Sequence, residues 1–444
     1  MNQNQPKTPI EKLTFPIQEF LHKEASGGIL LIIATVIALV WANSPFAESY
    51  HHLWHTYLTI DLGGIGLKYS LHHWINDGLM VIFFFVVGLE IKRELLVGEL
   101  SSVKKAALPI AAALGGMIFP ALIYVLFNSG TEGASGWGIP MATDIAFVVG
   151  ILALLGKRVP LALKIFILAL AIVDDLGAVL VIAVFYTSNI SYTSLLIGGG
   201  FLALLIIMNR MGVRNLLLYT LVGIALWLAF LKSGVHATVA GVLFAFTIPV
   251  SSRINTKKFK NETEVLLKDF DNAGEHGDNV LTNSERLVIV DQIENNCEKI
   301  LTPLQRFEHG LHPWVAFFIM PIFALANAGV TIGEGLDSAL THSVSIGIII
   351  GLFIGKQVGI FLFSYLAVKF KIASVPEGVS WMKIYAASIL AGIGFTMSLF
   401  IANLAFDTAE LLDIAKVGIL AASLISGVVG FLILKSALDK LDKK

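Results

Sequence analysis

Two adjacent aspartates, Asp174 and Asp175, stand in the middle of the apolar run IFILALAIVDDLGAVLVIAVFY, which contains no basic residue. A charged side chain at the centre of a bilayer costs at least about 2.5 kcal/mol, so such residues are rare and usually functional. The pair therefore predicts a site that binds a small cation or a proton inside a membrane, rather than a buried salt bridge that only holds helices together. Neighbouring residues on a helix point about 100° apart, so we expect unequal roles for the two carboxylates.

Two further apolar runs, GIPMATDIAF and AGIGFTMSLF, are interrupted by polar residues and helix breakers. Na⁺ and similar hard cations bind oxygen ligands, and backbone carbonyls are free for this only where a helix is broken. One broken span in each half of a chain is typical of transporters with inverted repeats. We expect Asp144 to compensate the positive ends of the half-helices. The residues expected at the breaks are Pro140, Thr143, Asp144, Gly392, Gly394, Thr396 and Ser398.

Lys356 lies deep in another apolar run, GLFIGKQVGI. A buried lysine needs a carboxylate partner or gives up its proton, so we expect Asp174 or Asp175 to pair with it. If a cation displaces the lysine from that carboxylate, the lysine can release a proton, which would couple cation binding to proton release. The alternative is a purely structural counter-ion.

Three more acids lie in the run INDGLMVIFFFVVGLEIKREL, nearer to its ends. Glu90 could attract cations into a cytoplasmic funnel, although a solvated or capping role fits equally well. Glu94 follows one helical turn later beside two basic residues, where a surface ion pair is the plainer interpretation. Asp77 is a further intramembrane acid at the start of the run.

Glu308, His309 and His312 cluster in RFEHGLHPWVAF, at the start of a later apolar run. Histidines titrate near physiological pH, so these residues could respond to pH or could simply anchor the membrane interface. His236, in KSGVHATVAG, is interpreted as a packing or hydrogen-bonding residue.

The composition places all these residues in a membrane protein, because 56% of the 444 residues are hydrophobic and only 14% are charged. Soluble domains carry about 25% charged residues. The formal net charge of −1 also argues against nucleic-acid binding, which needs a basic face.

A helical span needs roughly 20 mainly apolar residues. The sequence predicts an all-α membrane protein with twelve spans, numbered here in chain order: 26–42, 74–90, 106–128, 137–155, 161–186, 193–209, 215–232, 235–250, 313–332, 342–368, 382–405 and 412–434.

Basic residues follow spans 2, 4, 6, 10 and 12, whereas the loops 129–136, 187–192 and 333–341 contain none. The positive-inside rule therefore places both termini in the cytoplasm. The predicted organisation is a cytoplasmic tail at 1–25, spans 1–8 at 26–250, a cytoplasmic loop at 251–312, spans 9–12 at 313–434 and a tail at 435–444.

Two segments are predicted to lie outside the membrane. In the outer loop 44–73, the stretch LTIDLGGIGLKYS alternates around a Gly-Gly pair and predicts a β-hairpin. It could pair with a second subunit or be a plain surface hairpin. The loop 251–312 has eight Lys/Arg and eleven Asp/Glu, and the apolar spacing of Leu287, Val290, Ile293, Cys297 and Leu301 predicts an amphipathic helix.

These stretches, in this order, resemble the NhaA family of bacterial sodium/proton antiporters. The resemblance covers about residues 15–435 and rests on INDGLMVIFFFVVGLEIKREL, ATDIAF, VPLALKIFILALAIVDDLGA, SGVHATVAG, EHGLHPWVAF, PIFALANAGV, GLFIGKQVGI and AGIGFTMSLF. One departure is Gln357 after Lys356, where the family often has proline. Another is the length of the 251–312 loop.

The resemblance implies an inverted repeat of spans 3–5 and 10–12, with spans 4 and 11 crossing at unwound centres. It implies electrogenic exchange of cytoplasmic Na⁺ or Li⁺ for external protons, for sodium extrusion and pH homeostasis, in the bacterial inner membrane. Na⁺ and H⁺ are substrates, and no cofactor is implied. The outer hairpin would form a homodimer contact.

Residue by residue, the resemblance assigns Asp174 and Asp175 to the ion and proton site, with Asp175 as the main ligand and Asp174 shared with Lys356. Thr143 and Asp144 match the unwound residues beside that site. Asp77 and Glu90 match acids of span 2, and Glu94, Glu308 and His309 match a cytoplasmic pH-response region.

Two rival functions use the same residues differently. An intramembrane aspartyl protease would use two carboxylates from different spans, such as Asp144 and Asp174, but would leave Lys356 without a role. A sodium-coupled solute symporter would need an additional pocket for an organic substrate, and no basic or aromatic cluster in the spans indicates one.

Overall fold

The structure is a computed structural model that describes residues 26–62, 65–187, 190–252, 254–273, 283–331 and 335–439. The predicted tail at 1–25, and residues 440–444 of the predicted tail at 435–444, lie outside the described residues.

Every predicted span coincides with a helix or a pair of helices in the described residues. Apolar runs of this length form helices because a bilayer offers no other partner for their backbone groups. Among the residues that the structure describes, eight helices are long and apolar enough to cross a membrane alone, or up to ten if each of two bent helix pairs counts as one span. Spans 7 and 8 are shorter. The helical bounds, in chain order, are Ser26–Ala42, Leu71–Val97, Val103–Asn128, Glu132–Leu155, Leu161–Phe185, Tyr192–Arg210, Leu216–Leu231, Ala237–Thr247, Pro303–Asn327, Ser343–Lys369, Trp381–Leu390 with Phe395–Ala405, and Ala409–Asp439.

Spans 4 and 11 are both broken, at residues 142–144 and 391–394, but not all of the residues expected at the breaks lie there. Pro140 precedes the first break, and Thr396 and Ser398 belong to the helix that follows the second. Span 4 begins as a 3-10 helix, Glu132–Met141, which contains Pro140, and continues as an α-helix, Ile145–Leu155, after an extended segment at 142–144. Span 11 is interrupted at 391–394, and its two halves meet at a bend of 45°. Gly392 is required here, because a Cβ at this position would lie 2.5 Å from the carbonyl oxygen of Leu352.

Spans 2, 9 and 10 each contain one wider π turn, at Trp74–Leu79, Val315–Ile319 and Gly351–Gly355. Such turns are uncommon and often mark functional sites. The turn in span 10 ends directly before Lys356, so this helix is irregular there although the residue after the lysine is Gln357 and not a proline. The side chain of Gln357 instead accepts a hydrogen bond from the Tyr385 hydroxyl at 3.1 Å.

Span 10 packs closely against span 3 through glycines. A Cβ at Gly115 would collide with the carbonyl oxygen of Gly359, and a Cβ at Gly359 would collide with that of Gly115. A Cβ at Gly355 would lie 2.9 Å from the Cα of Pro120. Because both backbones meet without intervening side chains, the glycine contact between spans 3 and 10 places Lys356 deep inside the helix bundle.

The aromatic core lies where spans 2, 9 and 11 meet. The rings of Phe84 and Phe400 are 5.3 Å apart, and those of Phe323 and Phe400 are 6.2 Å apart. All three side chains are buried.

The predicted outer hairpin is confirmed. Strand β1, Tyr57–Leu62, pairs antiparallel with strand β2, Ile65–Ser70, in the register Tyr57↔Ser70 to Leu62↔Ile65. A helix at Ala47–His55 precedes it. The remaining short helices outside the 251–312 loop are Glu99–Ser101, Gly156–Arg158 and Leu336–Thr341.

The range 251–312 contains two helices, Thr256–Asn272 and Ser284–Ile300, that pack against each other. Its last residues, 303–312, already belong to the helix Pro303–Asn327 of span 9. The amphipathic helix is confirmed, but the predicted apolar face is not its inner face. Leu287, Val290 and Cys297 are exposed, and Asn296 is buried instead. Ile289, Ile293 and Ile300 share one face with Asn296, and only Ile293 of these belongs to the predicted set, so the apolar spacing selected a face rotated away from the inner one.

Candidate ion-binding site

Lys356 and Asp174 form a buried ion pair at the centre of the bundle. The Lys356 Nζ atom lies 2.8 Å from Asp174 Oδ2 and also donates to the Thr143 hydroxyl at 3.0 Å. The Thr143 hydroxyl in turn donates to the carbonyl oxygen of Ala391 at 2.9 Å. The predicted pairing of the lysine with one of the two aspartates is therefore confirmed, and Asp174 is the partner. These contacts connect spans 4, 5, 10 and 11.

Asp175 is buried but makes no hydrogen bond and no ion pair within the described part of the chain. The second oxygen of its neighbour, Asp174 Oδ1, is also buried without a hydrogen-bond partner among those residues. A buried carboxylate oxygen without a partner is costly for the fold, because its desolvation is not compensated. The two aspartates thus differ as expected: one is neutralised by a lysine, and the other is available.

Asp144 joins the two broken spans. Its Oδ1 atom accepts a hydrogen bond from the Phe147 N–H at 3.0 Å, which caps the second half of span 4. Its Oδ2 atom accepts from both the N–H and the hydroxyl of Thr396, at 3.0 and 2.5 Å, in the first turn of the second half of span 11. The Asp144 N–H donates to the Ile393 carbonyl at 2.7 Å. The carboxylate therefore lies at two helix N-termini, whose dipoles favour a negative charge.

The polar groups at the crossing are rich in oxygen and in negative charge. The carboxylates of Asp174, Glu90 and Asp144 all lie within electrostatic range of Asp175, together with the ammonium group of Lys356. Carboxylates and hydroxyls are ligands that hard cations accept. This arrangement can hold a small cation or protons, but an anion would meet an excess of negative charge.

A second group of charges lies at the end of span 2 that is predicted to face the cytoplasm. Arg93 bridges two acids: it pairs with Glu308 of span 9, and its Nη2 atom lies 3.5 Å from Glu94 Oε1. Glu94 also accepts a hydrogen bond from the Glu99 N–H at 3.0 Å. Glu90 lies within electrostatic range of Glu308, Arg93 and Glu94. Acidic groups therefore extend from this edge towards Asp175.

The structure does not bring the two predicted histidines into this group. His309 and His312 are exposed, and their side chains make no hydrogen bond or ion pair with any residue that the structure describes. Glu308, by contrast, is buried against Arg93.

Asp77 belongs to the opposite end of span 2. It lies 13 residues before Glu90, which corresponds to about 20 Å along a helix. Its carboxylate contacts His73 Nδ1 at 3.3 Å and His236 Nε2 at 3.5 Å. The His236 ring also contacts Thr238 Oγ1 at 3.0 Å, in agreement with the hydrogen-bonding role expected for it.

Three contributors to the site were not identified from the sequence. Arg93 was considered only as a neighbour of Glu94 in a surface ion pair, whereas its second partner, Glu308, lies 215 residues later. The Ser423 hydroxyl of span 12 accepts a hydrogen bond from the Phe395 N–H at 3.1 Å, at the start of the second half of span 11. The glycine contact between spans 3 and 10 had a signal, since Gly351, Gly355 and Gly359 are spaced by four residues, the helical small-residue pattern.

Comparisons with known proteins identify the family of the chain. The model of the family "Na+/H+ antiporter 1" matches residues 18–434. The chain is 53% identical over 427 residues to the Na⁺/H⁺ antiporter NhaA of Oleidesulfovibrio alaskensis, covering 96% of this chain and 95% of the relative. It is 51% identical over 412 residues to the NhaA protein of Wolinella succinogenes, covering 93% and 91%. It is 47% identical over 430 residues to that of Helicobacter pylori, covering 96% and 97%. Because the alignments cover nearly the full length of these relatives, the chain belongs to the NhaA family of bacterial sodium/proton antiporters.

Proposed function

We propose that this membrane protein, a secondary transporter and not an enzyme, exchanges cytoplasmic Na⁺ or Li⁺ for external protons by competition at Asp174 and Asp175. The observation that carries the proposal is the unpartnered carboxylate of Asp175 beside the Lys356–Asp174 ion pair. A carboxylate that holds either a proton or a cation, but not both, couples the proton flux to the cation flux without any other coupling mechanism.

In this mechanism Na⁺ enters from the cytoplasm and binds the ionised carboxylate of Asp175. The bound Na⁺ also draws the Asp174 carboxylate away from Lys356, because one carboxylate cannot bind two cations equally closely at the same time. The lysine then loses its counter-ion inside a low-dielectric region and releases its proton. Both Asp175 and Lys356 can therefore exchange protons in one cycle, so more than one proton can move per Na⁺ and the exchange is electrogenic.

Asp144 has a different role from Asp174 and Asp175. Both of its oxygens are used at the helix ends, so we assign it to holding the crossing of spans 4 and 11 and to electrostatic attraction of the cation. The same engagement argues against the aspartyl protease alternative, since a catalytic dyad needs a carboxylate that is free to act on a water molecule.

Glu90, Glu94 and Glu308 are proposed to form the funnel through which cytoplasmic cations approach. The chain lies in the bacterial inner membrane with both termini in the cytoplasm, which is supported by the alternation of basic loops. Within the described residues, β1 pairs with β2 alone in a two-stranded sheet. Its strand edges are proposed to meet the hairpin of a second subunit in a homodimer.

The test is sodium-driven proton flux in proteoliposomes with a preset ΔpH and a pH-sensitive dye. Na⁺ alone is expected to collapse the ΔpH, whereas a symporter would require an added organic solute. Asp175→Asn and Asp174→Asn are each expected to lower the flux about a hundredfold or more, because the amide cannot release a proton. Asp337→Asn, an exposed aspartate at the outer side, is the matched control.

Thermal unfolding in detergent shows whether each variant is folded. A folded Asp175→Asn protein with wild-type flux would refute the assignment of the ion site. A wild-type protein that needs a second solute would refute antiport.

A further inference from the structure

A crevice of about 310 Å³ lies away from the ion site, between spans 3 and 5 and the segment that follows span 10. Its mouth carries Glu99, Lys104 and Lys105, and Ser374 borders it from the segment after span 10. The crevice lies at the ends of spans 3 and 5 that are predicted to face the cytoplasm.

The floor of the crevice is apolar. Leu108, Ile165, Phe166 and Ala169 line it, and all but Ile165 are buried. On span 5, Leu161 and Leu168, each about one helical turn from Ile165, are 71% and 39% exposed, as expected for a surface that faces lipid. The crevice therefore offers an apolar cavity that a hydrocarbon chain can enter from the bilayer.

The mouth, by contrast, favours an anion. Lys104 and Lys105 are exposed in the first turn of the helix Val103–Asn128, whose N-cap residue Ser102 provides no side-chain cap. The first N–H groups of a helix without such a cap remain open to an acceptor. Glu99 only partly offsets this charge: it lies 3.5 Å from Lys105, and Lys104 forms no ion pair with the rest of the described chain.

We propose that this crevice binds an anionic phospholipid. The phosphate lies between Lys104 and Lys105 at the start of span 3, and one acyl chain extends over Leu108 and Phe166. Only a molecule with a charged head and an apolar tail satisfies both parts. A free phosphate would leave the floor uncovered, and a zwitterionic headgroup would bring its cation to two lysines.

The position of the crevice gives such a lipid a structural consequence. Ala169 lies five residues before Asp174 on the same helix, which corresponds to about 7.5 Å of rise. A lipid in this position packs against the half of span 5 that leads to the ion site.

Native mass spectrometry of the purified full-length protein tests the proposal directly. Phosphatidylglycerol is titrated in detergent, with phosphatidylcholine of the same acyl chains and inorganic phosphate as separate probes. We expect saturable retention of phosphatidylglycerol and at least tenfold weaker retention of phosphatidylcholine. The double variant K104Q/K105Q is expected to lose on the order of tenfold in affinity for phosphatidylglycerol, since each basic residue contributes to the attraction.

The matched control is K257Q/K258Q on the exposed helix Thr256–Asn272, which removes the same charge elsewhere and is expected to bind as the wild type does. Equal retention by K104Q/K105Q and the wild type would overturn the proposal. So would equal affinity for inorganic phosphate alone, because this would mean that the apolar floor contributes nothing. These measurements do not involve transport, so they succeed or fail independently of the proposed antiport.

Discussion

In both broken spans the first N–H groups of the second half-helix need hydrogen-bond acceptors, but spans 4 and 11 obtain these acceptors from different residues. Span 4 carries its own acid, because Asp144 lies directly at the start of Ile145–Leu155 and caps it. Span 11 has no acid at its break, and Gly394 at the start of Phe395–Ala405 offers no side-chain cap. Its first N–H groups are satisfied instead by Asp144 of span 4 and Ser423 of span 12.

This difference shows that the crossing is asymmetric. A single carboxylate compensates both helix ends, and span 11 depends on groups from its neighbours to begin its second half. Span 11 in turn allows close packing of the backbones, because Gly392 lets its backbone meet span 10 and Gly394 lets it meet span 4. Thr143, which donates to span 11 and accepts from Lys356, is held at the ion site by this arrangement.

The strongest test of the asymmetry is Asp144→Ala. Removing the shared cap leaves buried N–H groups at both helix ends, and we expect the free energy of unfolding to fall by about 3 kcal/mol. Thermal unfolding in detergent measures the change. Asp144→Asn keeps one acceptor oxygen, so its free energy of unfolding should fall by about half as much. Equal losses for Ala and Asn would show that the negative charge, not the hydrogen bonds, holds the crossing.

The second test concerns the glycines of span 11. In Gly392→Ala the new methyl group would lie 2.5 Å from the Leu352 carbonyl and 2.6 Å from the Ser426 hydroxyl, so we expect about 2 kcal/mol of destabilisation. Gly427→Ala in span 12 is the control, since its nearest neighbour would be 3.6 Å away. The same unfolding assay applies, and sodium-driven flux should fall for Gly392→Ala alone. A Gly427→Ala protein as unstable as Gly392→Ala would mean that the close approach at the break is not the cause.

Thr396→Val removes only the hydroxyl bond to Asp144 and leaves the backbone cap in place. We expect a loss of about 1 kcal/mol, because one buried hydrogen bond disappears while the side chain keeps its size. Ser423→Ala, on the other flank of the same helix start, should cost a similar amount. In thermal unfolding the double variant is then expected to lose the sum, unless the two groups stabilise the same local motion of Phe395–Ala405.

The smallest effect is expected for Pro140→Ala. Pro140 lies within the 3-10 segment of span 4, but the break itself is held by Asp144 and Thr143 through their bonds to span 11. Thermal unfolding should therefore change by less than about 1 kcal/mol, since no cross-span hydrogen bond is lost. A large loss of stability would mean that the proline, and not these hydrogen bonds, holds the break.

The charged and helix-breaking residues of the spans were largely identifiable from the sequence, because such residues stand out within an apolar run. Asp174, Lys356 and the breaks in spans 4 and 11 were found in this way. The partner of Arg93 was not, because nothing local indicates that Glu308 approaches from span 9. The exposed positions of His309 and His312 likewise depend on the rotation of a helix whose neighbours only the fold defines.

The glycine contact between spans 3 and 10 has a mechanical consequence. Gly115 and Gly359 touch backbone to backbone, and Lys356 lies within the same contact, where its Cδ would be 3.6 Å from a Cβ at Gly116. Helices in such contact cannot slide past each other without a clash of main chains. Any displacement that carries Lys356 across the membrane must therefore carry span 3 with it, so the lysine is moved by a two-helix block and not by the bending of a single helix.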